Sequence, residues 1–145
     1  MPDPETIERA REDAREGKSP STQAGEFVRE EMHHIREGKH GAASTKQAIA
    51  IGLSKARRAG VDLPPPKSAD SATKEHAQRD QAKGARGARP SATRSAATRR
   101  ALKKKGRAAA SRAALARQAK QAARKRTPRA RSAAAKRAAR TRRRG

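Results

Sequence analysis

Residues 44–61 read STKQAIAIGLSKARRAGV, and this stretch is a complete helix signature. Ser44 and Gln47 form an S-x-x-Q capping box, in which each side chain satisfies a free backbone donor of the first turn. Ala48, Ile49, Gly52, Leu53 and Ala56 recur at the spacing of one helical face. Gly60 is the terminator, and Val61 is placed to fold back onto Ala56 as in a Schellman ending. Arg57 and Arg58 sit in the last turn, where the helix dipole favours cations. Gly52 is the odd residue. In a helix interior it costs about 1 kcal/mol relative to Ala, so its presence predicts that another backbone comes close there.

Upstream, residues 19–38 read SPSTQAGEFVREEMHHIREG. Ser19 followed by Pro20 is a cap-then-proline start, and Gly38 stands where a left-handed terminal residue belongs. Ala24, Phe27, Val28, Met32 and Ile35 share one face. Only KHGAA, residues 39–43, separates this helix from the next, and a link that short makes the two neighbours in space. Before them, Asp3 and Pro4 open a weaker helix that Gly17 ends, with Ile7, Ala10 and Ala14 as its apolar positions. This first helix is expected to be loosely attached. The predicted head is thus a helical hairpin of two to three short helices over residues 1–63. Phe27, Val28, Met32, Ile35, Ile49 and Leu53 form its core or its interface with a partner. So small a core is marginal alone, which raises the expectation of a homodimer or a protein partner.

Pro64, Pro65 and Pro66 close the head, because three prolines cannot propagate a helix. Residues 64–94 read as a Pro/Ser/Ala-rich linker with a helical stretch near SATKEHAQRDQAK, residues 71–83. Residues 95–145 read as a Lys/Arg/Ala-rich tail, the basic region beginning near residue 83. Of 13 large apolar residues in the chain, 11 lie at or before Leu63, and only Leu102 and Leu115 lie beyond it. A segment so poor in large apolar residues and so charged reads as largely disordered, though helix-prone through its alanine. Caps at Ser95 and Ser132, a stop at Gly106 and a break at Pro128 mark where helices would form. Ordering on binding is the expectation, because phosphate would neutralise the repulsion.

Charge decides the partner class. Residues 1–82 hold 14 Lys/Arg and 14 Asp/Glu, whereas residues 83–145 hold 24 Lys/Arg and no acid, so the whole net charge of +24 lies in the C-terminal part. An uncompensated cationic run points to a polyanion. The cations expected to meet it are Arg94, Arg99, Arg100, Lys103, Lys104, Lys105 and Arg107 in one cluster, with Arg112, Arg117 and Lys120 following. Arg124, Lys125 and Arg126 make a second cluster, leading through Arg129, Arg131, Lys136, Arg137 and Arg140 to Arg142, Arg143 and Arg144. Phe27 is the sole aromatic residue and the chain lacks Trp and Tyr, which argues against base stacking as in single-strand binders.

Other chemistries find little support. Without Cys there is no disulfide, thiolate nucleophile or zinc–thiolate site. No Ser-His-Asp arrangement, phosphate loop or dinucleotide fingerprint occurs, so no enzyme and no cofactor are expected. Glu26, Glu30, Glu31 and Glu37 alternate with Arg29 and Arg36 as on a solvated helix face. His33, His34 and His40 gather at the hairpin turn. Adjacent histidines point about 100° apart on a helix and match no two-His helical motif, so these read as solvent-facing or capping and no metal is expected. Ser44, Thr45, Lys46 and Gln47 stand where a recognition helix carries base-reading side chains, but the preceding turn is long and a packing hairpin is the preferred reading. There is no apolar run long enough for a membrane span and no signal-peptide pattern. The expected setting is the cytoplasm, on the nucleoid.

Residues 32–60, MHHIREGKHGAASTKQAIAIGLSKARRAG, resemble a group of small basic bacterial proteins of unknown function. These share a Met-His pair, a Gly-containing turn and a helix close to QAIAIGLSKARRAG. The upstream GKSPSTQAGEFVREE and the tail word ALKKKGRAAASRAALARQAK extend the likeness. The resemblance implies a bacterial, cytoplasmic protein and carries no activity. The tail separately resembles, in composition, the Ala/Lys/Arg-rich ends of linker histones and bacterial histone-like proteins. Together these give a non-enzymatic, histone-like DNA-binding protein of the nucleoid, acting on duplex DNA with little sequence specificity. The alternatives are an RNA-binding or ribosome-associated protein and an adaptor whose head binds a protein.

Overall fold

The computed structural model describes residues 1–144 and is helical from end to end. The elements are α1 (Pro4–Arg15), α2 (Pro20–Arg36), α3 (Thr45–Arg58), α4 (Ser71–Ala85), α5 (Ala92–Lys103), a single 3₁₀ turn (Ala108–Ala110), α6 (Arg112–Arg124) and α7 (Pro128–Arg144).

The α2–α3 hairpin forms as its sequence dictates. Ser19 Oγ accepts from Thr22 N at the start of α2, and Ser44 Oγ accepts from Gln47 N at the start of α3. Gln47 Oε1 reaches back to the N–H of Ala43, at 2.6 Å, one residue earlier than the ideal box. At the far end Val61 N–H donates to Ala56 O and Gly60 N–H to Arg57 O, with Gly60 at φ +102°. This is the Schellman ending. At Gly52 a Cβ would lie 2.7 Å from Val28 Cα, so the close backbone approach that its glycine predicts is present.

Two apolar clusters flank that crossing. One joins Phe27, Ala24, Ala10, Ala56 and Val61, with Ile7, Leu53 and Leu63 packed against it. The other joins Met32, Ile35, Ala42 and Ala48, with Val28, Ile49 and Leu115 against it, and includes Ala109 and Ala110. Helix α1 is more firmly held than its weak stripe suggests. Thr6 and Ala10 are buried on α2, and Arg9 Nε donates to Glu26 Oε2 at 2.7 Å. That bond, first among several, raises the Arg9 pKa. Asp3 makes no side-chain cap; its Oδ2 faces His34 Nε2 instead, at 3.4 Å.

Beyond the prolines, α4 packs along α3 through buried Ala77 and Asp80. Asp80 accepts from Ser54 Oγ at 2.6 Å and from Arg58 Nε at 2.8 Å. Gly84 lets the α4 backbone rest on the carbonyl of Arg57, where a Cβ would clash. Arg57 itself is buried, which lowers its pKa, and its Nε donates to Leu63 O at 2.8 Å.

The expectation of a largely disordered tail is wrong: α5, α6 and α7 occupy it. Two physical reasons account for the difference. Each helix has a hydroxyl cap: Ser91 Oγ accepts from Arg94 N–H, Ser111 Oγ from Ala114 N–H and Thr127 Oγ1 from Ala130 N–H. Alanine between the caps has the best helix propensity of any residue, which outweighs like-charge costs of about 0.2–0.5 kcal/mol per i,i+4 pair. The helix starts also differ from those expected. Ser91 caps α5 rather than Ser95, and Pro128 begins α7 at its first turn, where a missing N–H costs nothing. With the helices already formed in the free chain, the expected ordering on binding falls away.

The two interior glycines of the hairpin predict opposite outcomes. Gly52→Ala should destabilise the protein by about 1–2 kcal/mol in urea unfolding, because overpacking costs of about 1–3 kcal/mol exceed the gain in propensity. Gly25→Ala, in α2 and with open space around its Cβ position, should stabilise by about 0.5–1 kcal/mol.

Candidate nucleic-acid interface

The cationic surface is mounted on the head. Residues 102–110 lie across the turn between α2 and α3, tied by hydrogen bonds at five points. Gly41 N–H donates to Leu102 O at 2.9 Å and Ala42 N–H to Gly106 O at 3.1 Å. Thr45 Oγ1 donates to Ala109 O at 2.7 Å, Arg36 Nε to Ala110 O at 2.9 Å and Arg107 Nη1 to Arg36 O at 3.3 Å. Gly41 is required here, since any Cβ would run into the Lys105 and Gly106 carbonyls. Ala109 and Ala110 then fill the space beside Met32 and Ile35. Their small size is what lets the two backbones come within bonding distance.

This docking places Lys103, Lys105 and Arg107 with His40 around an open cleft of about 460 Å³, whose floor includes Gly38 and Gly106. No carboxylate lines it. Lys104 lies between these cations in sequence and is exposed. Arg107 also serves the fold, since its bond to Arg36 O satisfies a free carbonyl at the end of α2.

Helix α6 turns Ala114, Leu115, Gln118 and Ala122 inward, each at least partly buried. Arg117, Lys120 and Arg124 fall within about 60° on another face. Helix α7 buries no residue. On it Arg129, Lys136, Arg140 and Arg143 fall within about 60° and run about 21 Å along the axis. Arg131 and Arg142 face the other way, and Arg137 and Arg144 flank the stripe. Arg94, Arg99 and Arg100 on α5, Arg112 on α6, and Lys125 and Arg126 in the α6–α7 turn complete the set. All 21 cations named from the sequence are exposed. Among the described residues none of them is in an ion pair, while the cations of α1–α4 that pair do so with acids up to Asp80.

The head residues named as core or interface lie inside. Phe27, Met32 and Ile35 are buried, and Val28, Ile49 and Leu53 are partly buried against them. Thr45 is buried beneath Ala109 and is not free to read bases, whereas Ser44 and Lys46 at the same helix start are exposed. The histidines also differ from expectation. His33 is exposed, but the side chains of His34 and His40 are only 14% and 11% exposed and turn toward carboxylates. Sequence reasoning missed that pairing because its one local signal, Glu30 and His34 at i and i+4, lay in a stretch whose carboxylates read as a solvated charge pattern. Glu30 and Glu31 are in fact buried.

The model of a family of unknown function, DUF6496, matches residues 15–67. That range takes in α2 and α3 and stops before the prolines give way to α4. The residues that complete the second apolar cluster, Ala109, Ala110 and Leu115, lie outside it. No curated protein matches the chain, and no solved structure does. No helix among the described residues is long and apolar enough to cross a membrane.

The docking predicts that Thr45→Val, which keeps the shape and removes the donor to Ala109 O, destabilises the whole protein by about 1–3 kcal/mol. Hydrogen exchange should locate the loss at the amides of Gly41 and Ala42. Unchanged exchange there would mean that residues 102–110 do not hold the turn.

Proposed function

We propose that this protein is a non-enzymatic, nucleoid-associated binder of duplex DNA that acts through phosphate contacts with little sequence preference. The observation that carries the reading is the set of 21 exposed cations on α5, α6, α7 and the turns that join them, without a single acid after Asp80. Duplex DNA presents one negative charge per about 1.7 Å of axis. A stripe such as that of α7 is a linear array of the complementary sign. Each cation that settles by a phosphate releases condensed counterions, so affinity is expected to fall steeply with salt.

The same surface lacks the means to read bases. Alanine, the main uncharged residue of α5–α7, offers only a methyl group, and no aromatic side chain lies on these helices. Contacts of this kind position a protein on the duplex and carry no sequence information. Preformed helices also lose less conformational entropy on binding than a coil of equal charge. Residues 1–63, neutral overall and packed through α2 and α3 on the 3₁₀ turn and α6, act as the base from which the cations project.

Anisotropy titrations of the full-length protein over a range of NaCl concentrations test the reading, with duplex DNA, single-stranded DNA and structured RNA of equal charge. Duplex binding should be indifferent to sequence and linear in log K against log salt. Replacing Arg129, Lys136, Arg140 and Arg143 together by alanine should reduce the magnitude of the slope by about 3–4. A slope unchanged by those four substitutions would remove α7 from the interface. A marked preference for structured RNA would replace DNA by RNA as the partner.

A further inference from the structure

Behind the cationic cleft lies a buried carboxylate with one oxygen unaccounted for. Glu31 is fully buried. Its Oε1 is taken by the Lys55 ammonium. Among the described residues its Oε2 has no hydrogen-bond partner, although His40 Nε2 stands 3.1 Å away. A buried acceptor left without a donor is costly.

The tautomer of His40 sharpens the point. Its Nδ1 lies 3.0 Å from Gly41 O, a group that only accepts, so Nδ1 carries the proton. With Nδ1 turned to that carbonyl, Nε2 is the ring atom left to bind a ligand, and it lies beside Glu31 Oε2 without a hydrogen bond between them. Two such atoms 3.1 Å apart are close enough to share one metal ion. The separation is near the edge of a tetrahedron around zinc, about 3.4 Å for ligand bonds of about 2.1 Å. A third donor is at hand: ligand atoms of Glu31, His34 and His40 all lie within 4.8 Å of one another. The His34 and His40 rings meet edge to face, with centroids 6.2 Å apart.

We infer that Glu31, His34 and His40 form a binding site for a divalent transition metal, with Zn²⁺ the ion best suited to two imidazoles and a carboxylate. Glu31 and His34 are at i and i+3 on α2, so one helical face presents both. His40 comes from the turn beyond it. The surroundings have the usual supports of such a site. The Gly41 carbonyl fixes the His40 ring, and Asp3 Oδ2 and Glu30 Oε1 stand 3.4 and 3.7 Å from His34 Nε2. Backbone carbonyls and outer carboxylates of this kind orient metal-bound histidines. Lys55 stays on Oε1 and leaves Oε2 to the metal. The site is independent of the DNA reading. A bound ion would tie the α2–α3 turn to α2 and add positive charge behind the cleft that His40 also lines.

Calorimetric titration of the metal-free full-length protein with Zn²⁺, and visible absorption with Co²⁺ in its place, test the inference. One Zn²⁺ per chain with a Kd in the micromolar range or tighter is expected, along with the Co²⁺ bands of a four-coordinate nitrogen–oxygen site. His40→Ala and His34→Gln should each weaken binding at least tenfold, whereas His33→Ala, at an exposed neighbour, should leave it unchanged. Circular dichroism confirms that each variant is folded. Absence of stoichiometric binding by the unaltered chain would overturn the site. Loss on His33→Ala equal to that on His40→Ala would also overturn it, by assigning the metal to surface histidines.

Discussion

The seating of residues 102–110 on the α2–α3 turn is the contact on which the rest of the structure depends. Four backbone carbonyls, of Leu102, Gly106, Ala109 and Ala110, accept hydrogen bonds from the turn and its flanking helices. Without that segment Met32 and Ile35 lack the cover of Ala109 and Ala110, and the head has the marginal core that its composition implies. With it, the strongly basic part of the chain becomes a structural component of the neutral part. The hydrogen bonds matter more here than the buried area, because Ala109 and Ala110 bring little apolar surface. Their contribution is to let one backbone lie against another and leave few buried polar groups unpaired.

The same contact reconciles two demands that conflict in a small chain. A cationic surface for a polyanion must keep acids away, yet a fold of this size gains order from polar pairing. Here the two are separated in space. Arg9–Glu26, Lys55–Glu31 and Arg58–Asp80 stitch α1–α4 together. From residue 83 onward the carbonyls replace the carboxylates as partners. Backbone hydrogen bonds anchor the segment without cancelling any of its charge. Arg107 is the single named cation that does both, bonding Arg36 O while facing the cleft.

Much of the head was legible in its sequence. The capping box at Ser44, the Schellman ending at Gly60 and Val61, and the close approach at Gly52 each rest on local chemistry that one segment expresses alone. The tail was misread for a reason that can be named. Counting only large apolar side chains locates a core where interlocking side chains make one, and it overlooks a seat made by alanine and glycine. The signals were there in Gly41, in the Ala108–Ala110 run before the Ser111 cap, and in Leu102 and Leu115 on either side. None is specific alone, because the pairing of Gly41 with Lys105 and Gly106 spans more than sixty residues and has no local signature. The buried Glu31 escaped for a related reason. Its neighbours Arg29 and Glu30 gave the stretch the look of a solvated face, while its actual partners, Lys55 and His40, come from other parts of the chain.

The position of α7 follows from the same principle. It has the cap, the alanine and the cations of a sound helix, yet it buries no residue. Helix α6, built from nearly the same residue types, is held because Ala114 and Leu115 lie on its inner face beside the docked segment. Nothing on α7 corresponds to Leu115. Its alanines bring too little apolar surface to hold it on the head. The difference between a docked and an undocked basic helix in this protein therefore comes down to one leucine and the backbone seat next to it. A helix left out in this way keeps its full complement of charge facing outward, which is the arrangement a phosphate-binding surface requires.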